Sequence, residues 1–222
     1  MDGATKNAPV GSVPMGSAPM KVYGDLRSGN CLKVKYTADF LERPYSWVPV
    51  DVMTGGSRKP QFLRLNPVGQ VPAIELEYGR VLAQSNAIIR YLAAATELLP
   101  QDLFLQAKVD EILAWEQYSH EPYVAVCRFQ MVYLGKAAAE LDPNLVKRGY
   151  VALDHLEQQF ARTRFLVGES FSLADVALLA YTRVAHEGGF DLARYAGIRR
   201  WIVDGEHVLR LAPVAQKTTG PS

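Results

Sequence analysis

The chain has 222 residues, 49% hydrophobic and 21% charged, the balance of a folded protein with a buried core in one large domain or two small ones. Its 24 basic and 23 acidic residues leave a net charge of +1, so no overall field favours nucleic acid or an anionic membrane. Two cysteines are too few for a disulfide scaffold and fit a reducing, cytoplasmic setting; with four histidines in no tight cluster they argue against a metal site, and no apolar run reaches the roughly 18 residues of a membrane span.

Residues 1–19, "MDGATKNAPVGSVPMGSAP", are rich in Gly, Ala, Pro and Ser and lack the continuous apolar stretch of a secretory signal, so they read as a flexible tail. "MKVYGD" (20–25) is a short apolar run ending at Gly24, a predicted strand. A helix is expected from about Asn30 to Leu41. In "YSWVPVDV", Val48, Val50 and Val52 alternate as in a strand, and Pro49, which cannot donate to a ladder, makes it an edge strand. A Gly-Gly break precedes a short helix near Pro60–Leu65, with proline at the favoured first position. "VPAIELEYGRVLAQS" reads as two strands about a turn at Tyr78-Gly79, and Ser85 is the expected N-cap of the helix carrying Ile88, Ile89 and Leu92.

Two strands bracketing a helix should be parallel, and the hairpin antiparallel, giving a small four-stranded mixed sheet over residues 20–96. Residues 97–102, with Pro100, form the expected linker to an all-helical segment, 103–222. There, Val146, Tyr150, Leu153, Leu156 and Phe160 mark the clearest amphipathic helix. Pro122 should kink or restart a long aromatic helix. In "SFSLADVALL", Ser172 and Asp175 form a capping box with Asp in place of the usual Glu, opening a helix apolar almost all round. Asp175 is expected to lock that helix start rather than to catalyse.

Three motifs in order, "RSGNC" at a helix start, "LNPVGQVPAIE" running through the hairpin into "QSNAIIRYL", and "SLADVALL", give a chain that resembles the glutathione S-transferase family over about residues 20–210. The pattern is similar to the bacterial, serine-using, theta- or zeta-like members. The resemblance implies a thioredoxin-like N-terminal domain, an all-α C-terminal domain, a cytoplasmic homodimer, glutathione as co-substrate and no metal. It places a cis bond before Pro72, with the backbone of Val71 pairing with the cysteinyl part of glutathione as a strand edge pairs with a peptide. It assigns Gln84 and Ser85, at a helix N-terminus, to the γ-glutamyl carboxylate. Arg58, with Lys59 and Gln70 behind it, is the candidate for the glycyl carboxylate.

A thiol needs help to ionise at neutral pH, because its ordinary pKa is about 8.5. A hydroxyl donor at a helix N-terminus supplies that help. Alignment with the resemblance puts Ser28 at that place as the catalytic donor, with Tyr23 and Asn30 as alternative donors. Cys31, three residues on, is expected to pack against the sheet, with a mixed-disulfide role as the minority reading. Tyr118, His120, Tyr123 and Arg128 are the candidate walls of the pocket for a small, largely apolar electrophile, although a lone His such as His120 is more often simply packed. The expected activity is glutathione transfer. The alternatives are glutathione-dependent reduction of disulfides or peroxides, isomerisation, and a non-catalytic binding or assembly module.

Overall fold

A buried strand organises the first half of the computed structural model, which describes residues 20–214; the tail expected over 1–19 lies outside the described residues. β1 (Met20–Gly24) alternates inward Met20 and Val22 with outward Lys21. It pairs in parallel with β2 (Tyr45–Pro49), Val22 opposite Trp47, and antiparallel with β3 (Ala73–Glu75), Val22 opposite Ile74. β4 (Val81–Ala83) completes the sheet in the order β2-β1-β3-β4. β2 is an edge, and Pro49 falls at its last residue, where a missing N–H costs the ladder little. The β3–β4 turn holds Tyr78 and Gly79 at φ 60° and 69°.

The crossover between β1 and β2 is α1 (Gly29–Phe40). It packs beside α3 (Ser85–Leu92), where Ile88, Ile89 and Leu92 meet Val34 and Ala38 in the main core. α2 (Pro60–Leu65) sits apart from that core, with Phe62 against Val50 and Ala73. The residue preceding α3 is Gln84, and Ser85 is the first residue of the helix rather than its N-cap; its hydroxyl caps no N–H and donates instead to Asn30 Oδ1 at 3.0 Å. Gln84 takes φ 70°, a sparsely populated conformation for a residue with a side chain, costing about 1–3 kcal/mol.

The second half is helical: α4 (Leu103–Trp115), α5 (Glu121–Val132), α6 (Pro143–Phe160), α7 (Leu173–Thr182) and α8 (Ala196–Val208). α4 continues into α5 through a π-helical turn, Glu116–His120, and Pro122 lies in the first turn of α5, where its absent N–H is harmless. Every residue of α7 is buried. Asp175 closes its start: one carboxylate oxygen accepts from the backbone N–H and the hydroxyl of Ser172, each at 2.9 Å, and the other accepts from Leu166 N–H at 2.9 Å and Trp201 Nε1 at 2.8 Å. Burial pushes its pKa up to about 6, against the pull of those donors.

Two buried ion pairs stand near the seam of the halves. Lys33 of α1 meets Glu116 at 2.8 Å, both side chains fully buried. Arg183 meets Glu206 at 2.8 Å and donates to the Tyr36 hydroxyl of α1 at 3.1 Å.

Asp175→Ala strands the Leu166, Ser172 and Trp201 donors inside the core. It should lower the unfolding free energy in urea by about 3 kcal/mol or more. Asp175→Asn, which keeps one acceptor oxygen, should cost less.

Candidate active site

The N-termini of α1 and α3 face one cleft of about 520 Å³, closed on its far side by α5 and the end of α7. That volume suits a small-molecule site. Ser28, Asn30, Arg58, Gln70, Val71, Pro72, Gln84 and Ser85 all line it, although they come from separate loops and helix starts. The Val71-Pro72 bond is cis. The loop before it is held by Asn66, whose amide donates to Gln70 O at 2.8 Å and whose Oδ1 accepts from Val68 N–H at 3.2 Å. Arg58 donates to Val68 O at 3.0 Å and crosses over Gly69, where any Cβ would lie 2.5 Å from its guanidinium.

Ser28 is the N-cap of α1, half-buried, and its Oγ accepts from Cys31 N–H at 3.5 Å. That contact is long, so it occupies the hydroxyl weakly. Asn30 spans the two halves: it accepts from the Ser85 hydroxyl and donates to Glu121 Oε1 at 3.3 Å. Burial, reinforced by Glu116, pushes the Glu121 carboxyl above its ordinary pKa, while Lys33 and Asn30 pull it down. Glu121 and Gln117 both line the cleft.

The other donors expected at the sulfur are placed differently. Tyr23 turns away: its hydroxyl donates to Glu75 Oε2 at 2.7 Å, and burial followed by that carboxylate pushes its pKa up to about 12. It does not line the cleft. Lys59 is exposed and also lies outside it. Cys31 is fully buried behind Ser28, its Sγ 2.9 Å from where a Cβ on Gly24 would stand, and burial pushes its thiol up to about 11.

Of the four residues expected around an electrophile, Arg128 alone lines the cleft. The other three lie outside it. Tyr118 is 83% exposed. His120 is driven fully inside, where Nε2 pairs with Thr182 Oγ1 at 3.1 Å and burial pushes its pKa down to about 4. The Tyr123 hydroxyl accepts from Arg148 at 2.6 Å at the surface. The walls present are Ala125, Arg128 and Phe129, spaced three and four apart on one face of α5, with Tyr133 beyond them and Tyr181 from α7. Composition gave no sign of Tyr181, because it lies in a helix whose apolar text reads as pure core.

The loop before Ser28 is tied down from α5. Arg128 donates to Arg27 O at 2.5 Å while Glu187 holds its Nε at 2.8 Å. Tyr133 donates to Asp25 Oδ2 at 3.1 Å, and the Arg27 guanidinium stacks 4.3 Å above the Tyr133 ring. Among the described residues, no group of three or more His, Cys, Asp or Glu could hold a metal ion, and no helix is long and apolar enough to cross a membrane.

Comparison with known proteins agrees with this geometry. The family model "Glutathione S-transferase, N-terminal domain" matches residues 18–94, and "Glutathione S-transferase, C-terminal domain" matches residues 146–203. Glutathione S-transferase 3 of Zea mays is 36% identical over 71% of this chain and 74% of its own length. Glutathione S-transferase theta-1 of Mus musculus is 32% identical over 77% and 74%. The crystal structure of a glutathione S-transferase from Pseudomonas fluorescens superposes with a TM-score of 0.84 at 47% identity, covering 88% of this chain and 98% of that one. The chain therefore belongs to the glutathione S-transferase family and is a glutathione transferase.

Proposed function

We propose that Ser28 is the group that ionises glutathione and that the thiolate is added to a small electrophile lying against α5. The observation that carries this reading is the position of Ser28: a half-buried hydroxyl at the N-terminus of α1, on the wall of the cleft and beside the cis Val71-Pro72 bond. A hydroxyl there donates to sulfur and favours its charged form, and the positive end of the helix dipole adds to it. The backbone of Val71 pairs with the cysteinyl unit, Gln84 and Ser85 with the γ-glutamyl carboxylate, and Arg58 with Gln70 takes the glycyl carboxylate. Asn30 acts indirectly, by holding Ser85 and Glu121 in register. Ala125 and Phe129 offer an apolar seat for the electrophile's body, with Arg128 and Tyr133 as its polar rim.

The reaction needs no protein thiol. The glutathione thiol loses its proton to solvent, the thiolate attacks the electrophilic carbon, and the leaving group departs or the conjugate is protonated. Cys31 and Cys127 are both fully buried, and burial raises both thiols above their ordinary pKa. A reductase route through a mixed disulfide on Cys31 would have no accessible protein sulfur to use.

The working form is proposed to be a cytoplasmic homodimer. Support comes from apolar side chains left outside: Leu103 and Phe104 at the start of α4 are 79% and 71% exposed, and Tyr91 of α3 and Val81 of β4 are also exposed. These elements adjoin, since Arg90 of α3 is paired with Asp110 of α4 at 3.0 Å.

Ser28→Ala should lower turnover with an electrophilic substrate by about 100-fold, the scale of losing one aimed donor. The KM for glutathione should change only a few-fold; turnover at the wild-type rate rules out Ser28. Iodoacetamide at neutral pH should leave both cysteines of the native protein unmodified and label both after denaturation; labelling of native Cys31 would revive the thiol mechanism. Light scattering should give twice the chain mass for the wild type, and Leu103→Lys with Phe104→Glu should yield monomer.

A further inference from the structure

Among the described residues that line the cleft, Glu121 is the only carboxylate. It is partly buried, and no described Lys or Arg forms an ion pair with it. Its Oε1 accepts from the Asn30 amide at 3.3 Å, a neutral partner. Lys33, the cation whose charge reaches it, is spent on Glu116 at 2.8 Å. A carboxylate drawn out of water without a cation is costly. Helix capping does not account for the residue. α4 runs on into α5 through the π-helical turn, and the Glu121 N–H bonds to Glu116 O within it, so the side chain does not cap an open helix end.

Glutathione carries the missing charge. Its γ-glutamyl end has an ammonium and a carboxylate on one carbon, so a site for one must stand beside a site for the other. Asn30 makes that juxtaposition: its Oδ1 accepts from the Ser85 hydroxyl at 3.0 Å, and its Nδ2 donates to Glu121. On the Ser85 side, the first helical bond of α3 is Ile88 N–H to Gln84 O at 2.9 Å. The N–H groups of Ser85, Asn86 and Ala87 thus have no helical partner and suit an anion. Gln117, four residues before Glu121, lines the cleft too. Its Nε2 donates to Glu116 at 2.8 Å, which leaves its Oε1 as a second acceptor beside Glu121.

We propose that Glu121 accepts the α-ammonium of glutathione's γ-glutamyl residue, across the seam from the start of α3, which holds the α-carboxylate. The inference rests on the reading of Ser85 as part of the carboxylate's site. It makes the helical half a reader of glutathione, and it gives the cleft a preference for thiols with an α-amino acid end. A thiol peptide that has the carboxylate but no ammonium leaves Glu121 uncompensated. Because the ammonium is unchanged while the sulfur reacts, Glu121 contributes to binding and not to turnover.

The test is calorimetric affinity for three tripeptides. These are glutathione, glutaryl-cysteinyl-glycine, which lacks only the α-ammonium, and 4-aminobutanoyl-cysteinyl-glycine, which lacks only the α-carboxylate. Each is titrated into wild type, Glu121→Gln and Ser85→Ala. Wild type should bind the glutaryl peptide about 10- to 100-fold more weakly than glutathione, the scale of one hydrogen-bonded charge pair. Glu121→Gln keeps the shape of the side chain and an acceptor for Asn30. It should lose that factor for glutathione and bind the glutaryl peptide at least as well as wild type does, so the preference disappears. The KM for glutathione should rise by the same factor, with kcat within about twofold. Equal wild-type affinity for glutathione and the glutaryl peptide overturns the proposal with no variant needed. A Glu121→Gln protein that keeps the wild-type preference, through unchanged affinity or equal weakening, overturns it as well. The Ser85 reading is judged separately, on the third peptide: Ser85→Ala should weaken glutathione and spare the 4-aminobutanoyl peptide. Equal weakening of those two, or none, removes the Ser85 reading and this inference with it.

Discussion

A fully buried lysine holds the two halves of this protein in register. Lys33 projects from α1 into the seam and finds Glu116 at 2.8 Å, with Asn86 of α3 at 3.3 Å. Asn86 in turn donates to Glu116 and to Leu113 O of α4. Desolvation pushes the lysine below its ordinary pKa and the carboxylate beside it pushes back. An ion pair so deeply buried adds little net stability over apolar packing, but it tolerates no sliding, because either charge left alone would be costly. Its effect is therefore geometric: α1, α3 and the end of α4 can meet in one arrangement.

The cleft follows from that arrangement. Once Glu116 is fixed, the π-helical turn after it sets where α5 begins, and Glu121 reaches Asn30. α5 then presents Ala125, Arg128 and Phe129 to the starts of α1 and α3, and Arg128 and Tyr133 grip the loop carrying Ser28. Two helix N-termini facing one cavity give it a positive partial charge on the side where a thiolate and a carboxylate would lie. The opposing wall carries the chain's own carboxylate, Glu121. The close approach of this wall depends on glycine where backbone meets backbone: a Cβ on Gly188 would stand 2.9 Å from the Arg128 nitrogen.

Much of this was legible in the text of the chain, and the reasons are local. The proline opening "PQFLRL" and the Ser172–Asp175 spacing each report on a few neighbouring residues, and those elements start where the signals put them; the alternation of Val48, Val50 and Val52 marked the second strand but placed it too far along, since it ends at Pro49. Apart from Lys59, the residues expected to hold glutathione sit on loops at element ends, and they line one cleft because α/β folds gather such ends on one side. Ser85 is the instructive exception. Serine before an apolar run is the mark of an N-cap, but the strained backbone at Gln84 takes that position and leaves the serine hydroxyl free to cross to Asn30.

The opposite wall was not legible, for a physical reason. Tyr118, His120, Tyr123 and Arg128 are close in sequence, and a regular helix would put several of them on one face. Tyr118 and His120 stand two apart, which puts them on opposite sides of any helical turn, and packing decided which side is which: Tyr118 faces solvent and His120 the core. The sequence by itself determined the strands and helices, because capping, turn chemistry and periodicity act over a few residues, whereas the cis bond before Pro72 and the residues expected to hold glutathione came from the family resemblance. Only the tertiary structure decided that Tyr23 is bound to Glu75, that Cys31 is sealed behind Ser28 and that Tyr181 reaches the active helix start, because each outcome depends on contacts between residues far apart in the chain.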